Sequence, residues 1–482
     1  MNVTLIIDII YIIIVVLVCL RIIYDTESSA KTLAYVLLAI FIPVAGMGFY
    51  FVFGINYRKR LIYSKKLVKD EVKLKELNER IISYSARNLK KYASEVGDGK
   101  SLVNLLMNDS LSPLTDGNSV KVLINGEQKF PEVLDALRKA EHHIHLEYYI
   151  YENDIIGNQI KDILIQKAKQ GVEVRFIYDD FGSRSIRKKV VKELKNAGVE
   201  AYPFNRVRLL LFANRINYRN HRKIIIVDGN CGFIGGINIS DRYVNNLDDK
   251  DKLYWRDTHL RIDGPGILYL QHTFLCDWNF CSDQSIQLDG LYYDQIRYDT
   301  DVSVQIAAGG PDSPASTIML SFLKAINLAK NEILLTTPYF VPGESIINAI
   351  KVAVMGGVSV KILVPGFSDS FWVNAAAWSY YDELLKAGVE IYIYKKGFIH
   401  AKTLVIDHHM SILGTANMDH RSFDLNFEVN AIVYAHEFAE QLCKFFNEDI
   451  QQAKKLNLDD VSSKPVFRHL SERLGRLLSP LL

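Results

Sequence analysis

Apolar positions along this chain follow three patterns in turn. From Leu5 to Ile23 and from Leu33 to Phe53 they run almost unbroken, each run close to the roughly 20 residues a helix needs to cross a bilayer core, which predicts a two-helix hairpin. From about Tyr57 to Tyr92 the chain is charged and free of Gly and Pro, with Leu61, Val68, Val72, Leu74, Leu77 and Ile81 at partly helical spacing, which predicts a connecting helix. The Gly97-Asp98-Gly99 and Pro113 region then reads as a loop into the first folded unit.

Beyond that loop, strand-like and helix-like segments alternate. VKVLINGEQKF leads to PEVLDALRKA as a helix, HHIHLEYYIY as a strand, NQIKDILIQKAKQ as a helix and VEVRFIYDD as a strand; VSVQIAAGG, ASTIMLSFLKAINLAK, NEILLTTPYFV, SIINAIKVAVMG and VSVKILVPG repeat the order. Gly171-Val172 and Gly357-Val358 mark equivalent helix-to-strand turns. The fold class expected is α/β, a duplicated domain whose halves are related by pseudo-twofold symmetry. The divisions are 1–56 for the hairpin, 57–119 for a basic juxtamembrane helix and linker, 120–300 for the first domain, and 301–482 for the second with its tail. In that tail, Phe467, Leu470, Leu474 and Leu477 or Leu478 share a helical side opposite Arg468, Arg473 and Arg476; an interfacial helix and a helix packed on the second domain both fit.

Charge changes the picture of the first 70 residues. Arg21, Asp25, Glu27 and Lys31 balance around the connector, whereas Arg58, Lys59, Arg60, Lys65, Lys66 and Lys69 follow the second span, so the folded part is expected on the cytoplasmic side of the cell membrane, its basic run suited to anionic headgroups. No basic segment precedes the first span and no small-x-small site follows it, which argues against a cleaved signal. With 482 residues, 49% of them hydrophobic, the chain can bury substantial cores, and a net charge of only +2 argues against a general nucleic-acid binder. Five scattered cysteines fit free thiols in a reducing cytosol; Cys231 reads as packing.

The candidate chemistry lies in NHRKIIIVDGNCGFIGGIN and IHAKTLVIDHHMSILGTAN. His221, Lys223, Asp228, Gly235 and Asn238 are answered at identical offsets by His400, Lys402, Asp407, Gly414 and Asn417. Each segment reads as a strand, a turn and a second strand. Side chains alternate faces in a strand, so His221 and Lys223 share a side, as do His400 and Lys402, placing an imidazole beside a fixed positive charge that suits a phosphate. Asp228 precedes Gly229 and equally suits a turn; Gly235 equally serves close backbone approach.

This spacing, His-x-Lys, four residues, Asp, six residues, Gly, two residues, Asn, resembles the phospholipase D superfamily, and NYRNHRKI, YWRDTHLRI, HLEYYI, TPYFVP and GTANMDHRSFDLNFEVN resemble its bacterial cardiolipin synthases over nearly the whole chain. The resemblance implies tandem phospholipase D-like domains and phosphatidyl transfer between two phosphatidylglycerol molecules through a phosphohistidine. By analogy His221 is the nucleophile and His400 the general acid, then base, although the sequence is symmetric enough for the roles to be exchanged. Lys223, Lys402, Asn238 and Asn417 can donate to non-bridging oxygens; the resemblance implies that Asp257 and Glu428 orient the histidines, where a surface salt bridge is the plainer alternative. No metal or other cofactor is expected: His142, His143 and His145 lack the spacing of a known site, and no phosphate-binding Gly-rich loop occurs. Expected partners are phosphatidylglycerol and anionic membrane lipids; the oligomeric state is open. A hydrolase or transphosphatidylase acting on other phospholipids is the competing reading. The apolar knob Leu209, Leu210, Leu211 and Phe212, flanked by Arg206, Arg208 and Arg215, suits either a core loop or a membrane contact.

Overall fold

In the computed structural model, which describes residues 3–26, 29–51, 71–205, 218–245, 252–282, 284, 286, 300–313, 315–368, 370–462 and 464–479, the first apolar run forms one helix, Val3–Asp25. Its stretch Leu5–Asp25 is, among the described residues, the one helix long and apolar enough to cross a bilayer. The second run, expected as one continuous span, is divided into Ser29–Phe41 and Pro43–Phe49. The break falls at Ile42, with φ −133° and ψ 66°, because the ring of Pro43 crowds a helical residue before it. Val18 and Ile22 pack with Tyr35, Ala39 and Tyr50, and the Tyr50 hydroxyl donates to Asp25 (3.2 Å). The basic run 58–69 and the apolar knob 209–212 lie outside the described residues.

The connecting helix is described over Glu71–Lys91. Asn88 donates to the Leu114 carbonyl (2.8 Å) and Leu114 N–H donates to Ser85 Oγ (3.0 Å), which fixes this helix to the start of strand Thr115–Ile124.

That strand is at the middle of a 15-stranded sheet, where it pairs antiparallel with Val302–Gly309. Outward from Thr115–Ile124 come Thr258–Asp263, Cys231–Gly235, Lys223–Val227, His143–Tyr148, Glu173–Asp179 and Glu200–Phe204. Outward from Val302–Gly309 come Glu428–Tyr434, Met410–Gly414, Thr403–Ile406, Glu332–Thr336, Ser359–Pro365 and Glu390–Tyr394, with Ala453–Lys455 at that edge. The order of strands along the chain is therefore the same on both sides of the centre. The motif strands KIIIV and TLVI lack polar alternation because helices cover both faces of the sheet.

On one face each side has its own core. Ile144, Phe176 and Ile225 belong to the first, Leu335, Ile362 and Leu404 to the second. On the opposite face a single cluster runs across both, joining Ile224, Ile226 and Trp278 to Val405, Leu413 and Phe446. Helices Ile267–Ser282 and His436–Ile450 supply its cover. Each large side chain buried there contributes on the order of 1.5–3 kcal/mol, so the two sides are held as one body.

Candidate active site

Both histidines stand just ahead of their motif strands, and each is stitched to the opposite side of the molecule. His221 N–H donates to the Phe427 carbonyl (2.9 Å) and Phe427 N–H to the Arg219 carbonyl (2.9 Å); His400 N–H donates to the Arg256 carbonyl (2.7 Å) and Phe398 N–H to the Tyr254 carbonyl (2.9 Å). Arg222, buried behind His221, reinforces the junction: its Nε donates to the Glu428 carbonyl (3.3 Å) and its guanidinium pairs with Asp277.

The side chains cross in the same way. His221 Nδ1 meets both oxygens of Glu428 at 2.9 and 3.0 Å, and His400 Nδ1 meets Asp257 Oδ2 at 2.7 Å. The carboxylate that follows the second motif thus serves the first histidine, and the one that follows the first serves the second. A carboxylate on Nδ1 selects the tautomer that leaves the Nε2 lone pair for chemistry. Thr415 Oγ1 donates to Glu428 (2.6 Å) and Asn426 Nδ2 donates to it (3.3 Å); Asp257 accepts from Thr258 N–H (2.7 Å).

The motif glycines have a steric cause. A Cβ on Gly235 would lie 2.6 Å from the His259 Cα, and one on Gly414 would lie 2.1 Å from Asn430 Oδ1. Gly236, the residue after strand Cys231–Gly235, is as confined, since a Cβ there would reach 2.2 Å from Asp257 Oδ1.

Lys223 Nζ donates to the His221 carbonyl (2.7 Å), and Lys402 Nζ donates to the His400 carbonyl (2.5 Å) and lies 3.0 Å from His400 Nδ1. Asn238 Nδ2 donates to the Tyr243 hydroxyl (2.6 Å), while its Oδ1 accepts from Ile150 N–H (3.2 Å). Asn417 lies at the same cavity.

Asp228 and Asp407, expected within the chemistry, are placed elsewhere. Asp228 accepts from the N–H groups of Glu141 (2.9 Å), His142 (2.8 Å) and His143 (2.9 Å). Asp407 accepts from Lys330 (2.8 Å), Asn331 (2.7 Å) and Glu332 (2.8 Å) in the same manner. Both have positive φ, 51° and 50°. Each sits past the far end of its motif strand, about 16 Å of extended chain from the lysine at roughly 3.3 Å per residue, and ties the turn to the start of a neighbouring strand. For Asp228 these are the contacts of the turn former that the sequence equally allowed.

Electrostatics set the state of the site. Burial drives His221 down to about 4, against the pull of Glu428 and with a push from Lys223. Burial also drives His400 to about 4, helped by Lys402 and opposed by Asp257. Loss of hydration lowers Lys223 to about 7 and Lys402 to about 8, with Glu428 and Asp257 opposing. Burial acts upward on Glu428, but His221 and Lys223 outweigh it and hold the carboxylate below its ordinary value. Two neutral imidazoles and two lysines poised near neutrality await a negative charge.

His221 and His400 open onto one cavity of about 380 Å³. Asn238, Asn417, Tyr149, Arg219, Arg242 and Arg421 also line it, with Trp255 and Phe398. Sequence reasoning missed the three arginines and Tyr149; the one signal was their proximity to motif residues in NYRNHRK, ISDRY, HLEYYI and MDHRSF. It also missed Lys129, fully buried, whose ammonium donates to the Ile237 (2.8 Å) and Asn238 (3.4 Å) carbonyls and so supports the end of the first motif. His143 and His145 pack under Ile267–Ser282, bonded to Gln271 (3.2 and 2.8 Å).

Paired His-x-Lys segments meeting at one cavity, on a continuous α/β sheet, define a phospholipase D-superfamily site. Residues 133–254 and 322–450 match the family described as cardiolipin synthase, PLD-like domain, and residues 2–54 match the phospholipase D-nuclease N-terminal family. Among relatives, a cardiolipin synthase of Alkalihalophilus pseudofirmus is 41% identical over 97% of this chain and 92% of its own length. The major cardiolipin synthase of Bacillus subtilis is 39% identical over 95% of each chain. Phosphatidylserine synthase of Haemophilus influenzae, 14% identical over 79% of this chain and 99% of its own, shares the fold with a TM-score of 0.60. This chain belongs to the cardiolipin synthase family of PLD-like proteins.

Proposed function

We propose that this enzyme transfers a phosphatidyl group from one phosphatidylglycerol to another, giving cardiolipin and glycerol. The observation that carries the reading is the pair of crossed His–carboxylate contacts at one cavity, in a chain similar to cardiolipin synthases over nearly its full length. His221 Nε2 attacks phosphorus, and the bond to the departing glycerol breaks as His400 gives that oxygen a proton. His400 then removes the proton from a hydroxyl of the second phosphatidylglycerol, whose oxygen displaces His221 from phosphorus. Atoms balance over the two steps, and a covalent intermediate divides one difficult displacement into two easier ones. The bound phosphodiester's negative charge favours the proton on His400 that burial otherwise disfavours. Lys223, Lys402, Asn238 and Asn417 support the non-bridging oxygens, and Arg219, Arg242 and Arg421 supply positive charge for the second lipid's phosphate.

The two sides of the sheet are PLD-like domains, 120–300 and 301–482, related by a pseudo-twofold axis that exchanges the histidines; the common strand order supports this. Residues 1–56 form a transmembrane hairpin followed by the juxtamembrane segment 57–119, and the charge balance across it puts the active site on the cytoplasmic side. Cysteine labelling in intact cells should reach residues 26–29 and spare those beyond 58; the reverse refutes the topology.

Labelled phosphatidylglycerol in vesicles decides the reaction. Cardiolipin with equimolar glycerol is expected, and acid-free mass analysis of quenched enzyme should place the phosphatidyl group on His221. Phosphatidic acid as the main product would instead make the enzyme a hydrolase, and label on His400 would exchange the two roles.

A further inference from the structure

The C-terminal helix Val466–Leu478 is amphipathic, yet it lies on the protein the wrong way round for a soluble domain. Glu472, Gly475 and Ser479 face inward, whereas Phe467 is 80% exposed, Leu470 53%, Leu474 43% and Leu477 74%. Soluble helices turn their apolar stripe to the core. Here the inward side is held by other means. Glu472 pairs with Lys464 (2.6 Å), Arg476 pairs with Glu383 (2.7 Å), the Tyr380 hydroxyl donates to Ser479 Oγ (3.3 Å), and Lys464 sits 3.9 Å over the Trp378 ring. Gly475 permits the crossing, because a Cβ there would meet the Ala376 nitrogen at 2.7 Å. The outward orientation is therefore built, with residues 467, 470, 474 and 477 spaced to form one stripe.

The helix it crosses, Phe371–Ala387, leads to the active site. One turn before the crossing at Ala375 and Ala376, Phe371 is 65% exposed and Trp372 41%, and the next residue, Val373, lines the catalytic cavity. Phe367, also exposed, lies 5.3 Å from Phe398 of the cavity wall. The apolar surface thus starts at the cavity mouth.

We propose that this stripe, with Phe371 and Trp372, is a second membrane-docking surface that seats the cavity mouth on an anionic bilayer. Three observations favour lipid as the occupant. Leu5–Asp25 can cross a bilayer, which keeps the folded part beside one. The exposed charges along the helix, Arg468 and Arg473, are basic, its one acid being the buried Glu472, and basic residues beside an apolar stripe favour an anionic interface. The surface also adjoins the opening a phospholipid must enter.

The test uses the full chain in phosphatidylglycerol-containing vesicles. A Leu474→Cys chain carrying an environment-sensitive fluorophore, with the parent chain labelled identically as blank, should be quenched by bromine-bearing lipids, and less so when phosphatidylglycerol is replaced by phosphatidylcholine. Quenching by aqueous iodide alone overturns the proposal. Efficient cross-linking between two copies through the introduced thiol, with no quenching by lipid, overturns it as well and would make a second copy the occupant. In the activity arm, which rests on the reaction proposed above, Leu470→Ser, Leu474→Ser and Leu477→Ser together should lower turnover of vesicle-borne phosphatidylglycerol by about tenfold. Turnover of short-chain phosphatidylglycerol dispersed in water should hold within about twofold of the parent, since docking is not needed there. Equal loss on both substrates assigns the helix a structural role and overturns docking. A parent chain that makes no cardiolipin would fail the reaction while leaving the quenching result to decide docking.

Discussion

The two histidine sites are built from the same motif and differ in what surrounds it. His221 rests against Glu428, which also takes hydrogen bonds from Thr415 and Asn426, and one ring, Tyr149, lies 5.0 Å away. His400 rests against Asp257, whose other oxygen is held by the Thr258 backbone N–H. It is enclosed by Trp255 at 5.5 Å, Phe398 at 5.9 Å and Tyr243 at 6.3 Å. Where the second motif has Thr415 to donate to its carboxylate, the first has Gly236, which leaves room for Asp257. A shared motif supplies the two imidazoles and their lysines; the unshared neighbours give each imidazole a separate environment, which a mechanism needing one nucleophile and one proton carrier can use.

The largest effects should come from the histidines themselves. His221→Ala and His400→Ala should each lower cardiolipin formation by at least about 10³-fold, and the double variant should be little worse than either, because residues of one mechanism act as a unit. A phosphatidyl donor with a good leaving group, such as p-nitrophenol, needs no general acid. Release of nitrophenol should therefore recover in His400→Ala and stay lost in His221→Ala; recovery in the opposite variant would invert the assignment.

The carboxylate supports give the next step down. Gly236→Ala puts a methyl into the Asp257 carboxylate and should lower turnover by about 10² or more by displacing the base-orienting group. Thr415→Val removes the hydrogen bond to Glu428, worth about 0.5–1.5 kcal/mol, together with the one Thr415 Oγ1 accepts from Val429 N–H (2.9 Å), and should lower turnover by about tenfold or less. Equal losses in steady-state assays would erase this distinction between the sites.

Acid should act on both sites alike. His145, His221, His272 and His400 are lowered from 6.5 to about 3, 4, 4 and 4 by burial. The unfolded chain then binds protons that the folded chain refuses. The histidine contribution to stability is fully present above pH 6.5 and should decline as pH falls from 6.5 towards 4. Thermal melting across that range checks the decline, and imidazole NMR of the substrate-free enzyme should find both His221 and His400 neutral at about pH 7.

The smallest catalytic effect should follow from Asp228→Ala and Asp407→Ala. Each leaves three backbone N–H groups without their acceptor and should cost about 1–3 kcal/mol of stability, while the folded fraction keeps turnover within about threefold of the parent, well under the contribution of a general acid or base. A loss on the scale of the histidine variants would return these aspartates to the chemistry.

Much of the molecule was legible in the linear order of its residues. Periodicity marked the alternation of strands and helices, and the repeated offsets from His221 to Asn238 and from His400 to Asn417 marked residues that line one cavity, because spacing along a strand decides which side chains share a face. Other features were not. The second apolar run breaks at Ile42 because local geometry before Pro43 outweighs composition, and the Arg219, Arg242 and Arg421 cluster forms from segments with no common pattern.

What the sequence by itself determined was the set of candidate groups and their local neighbours: a histidine two residues from a lysine and a glycine where strands approach. Only the tertiary structure decided which carboxylate serves which histidine. His221 and Glu428 are separated by 207 residues and His400 and Asp257 by 143, and no local spacing encodes a pairing that arises when the two sides of one sheet are stitched together at Phe427 and Arg256. It also decided the direction in which the C-terminal helix faces. An amphipathic sequence specifies that the two sides of a helix differ, and only the packing of Gly475 and Ser479 against the helix Phe371–Ala387, with Glu472 paired to Lys464, specifies which side is left outward.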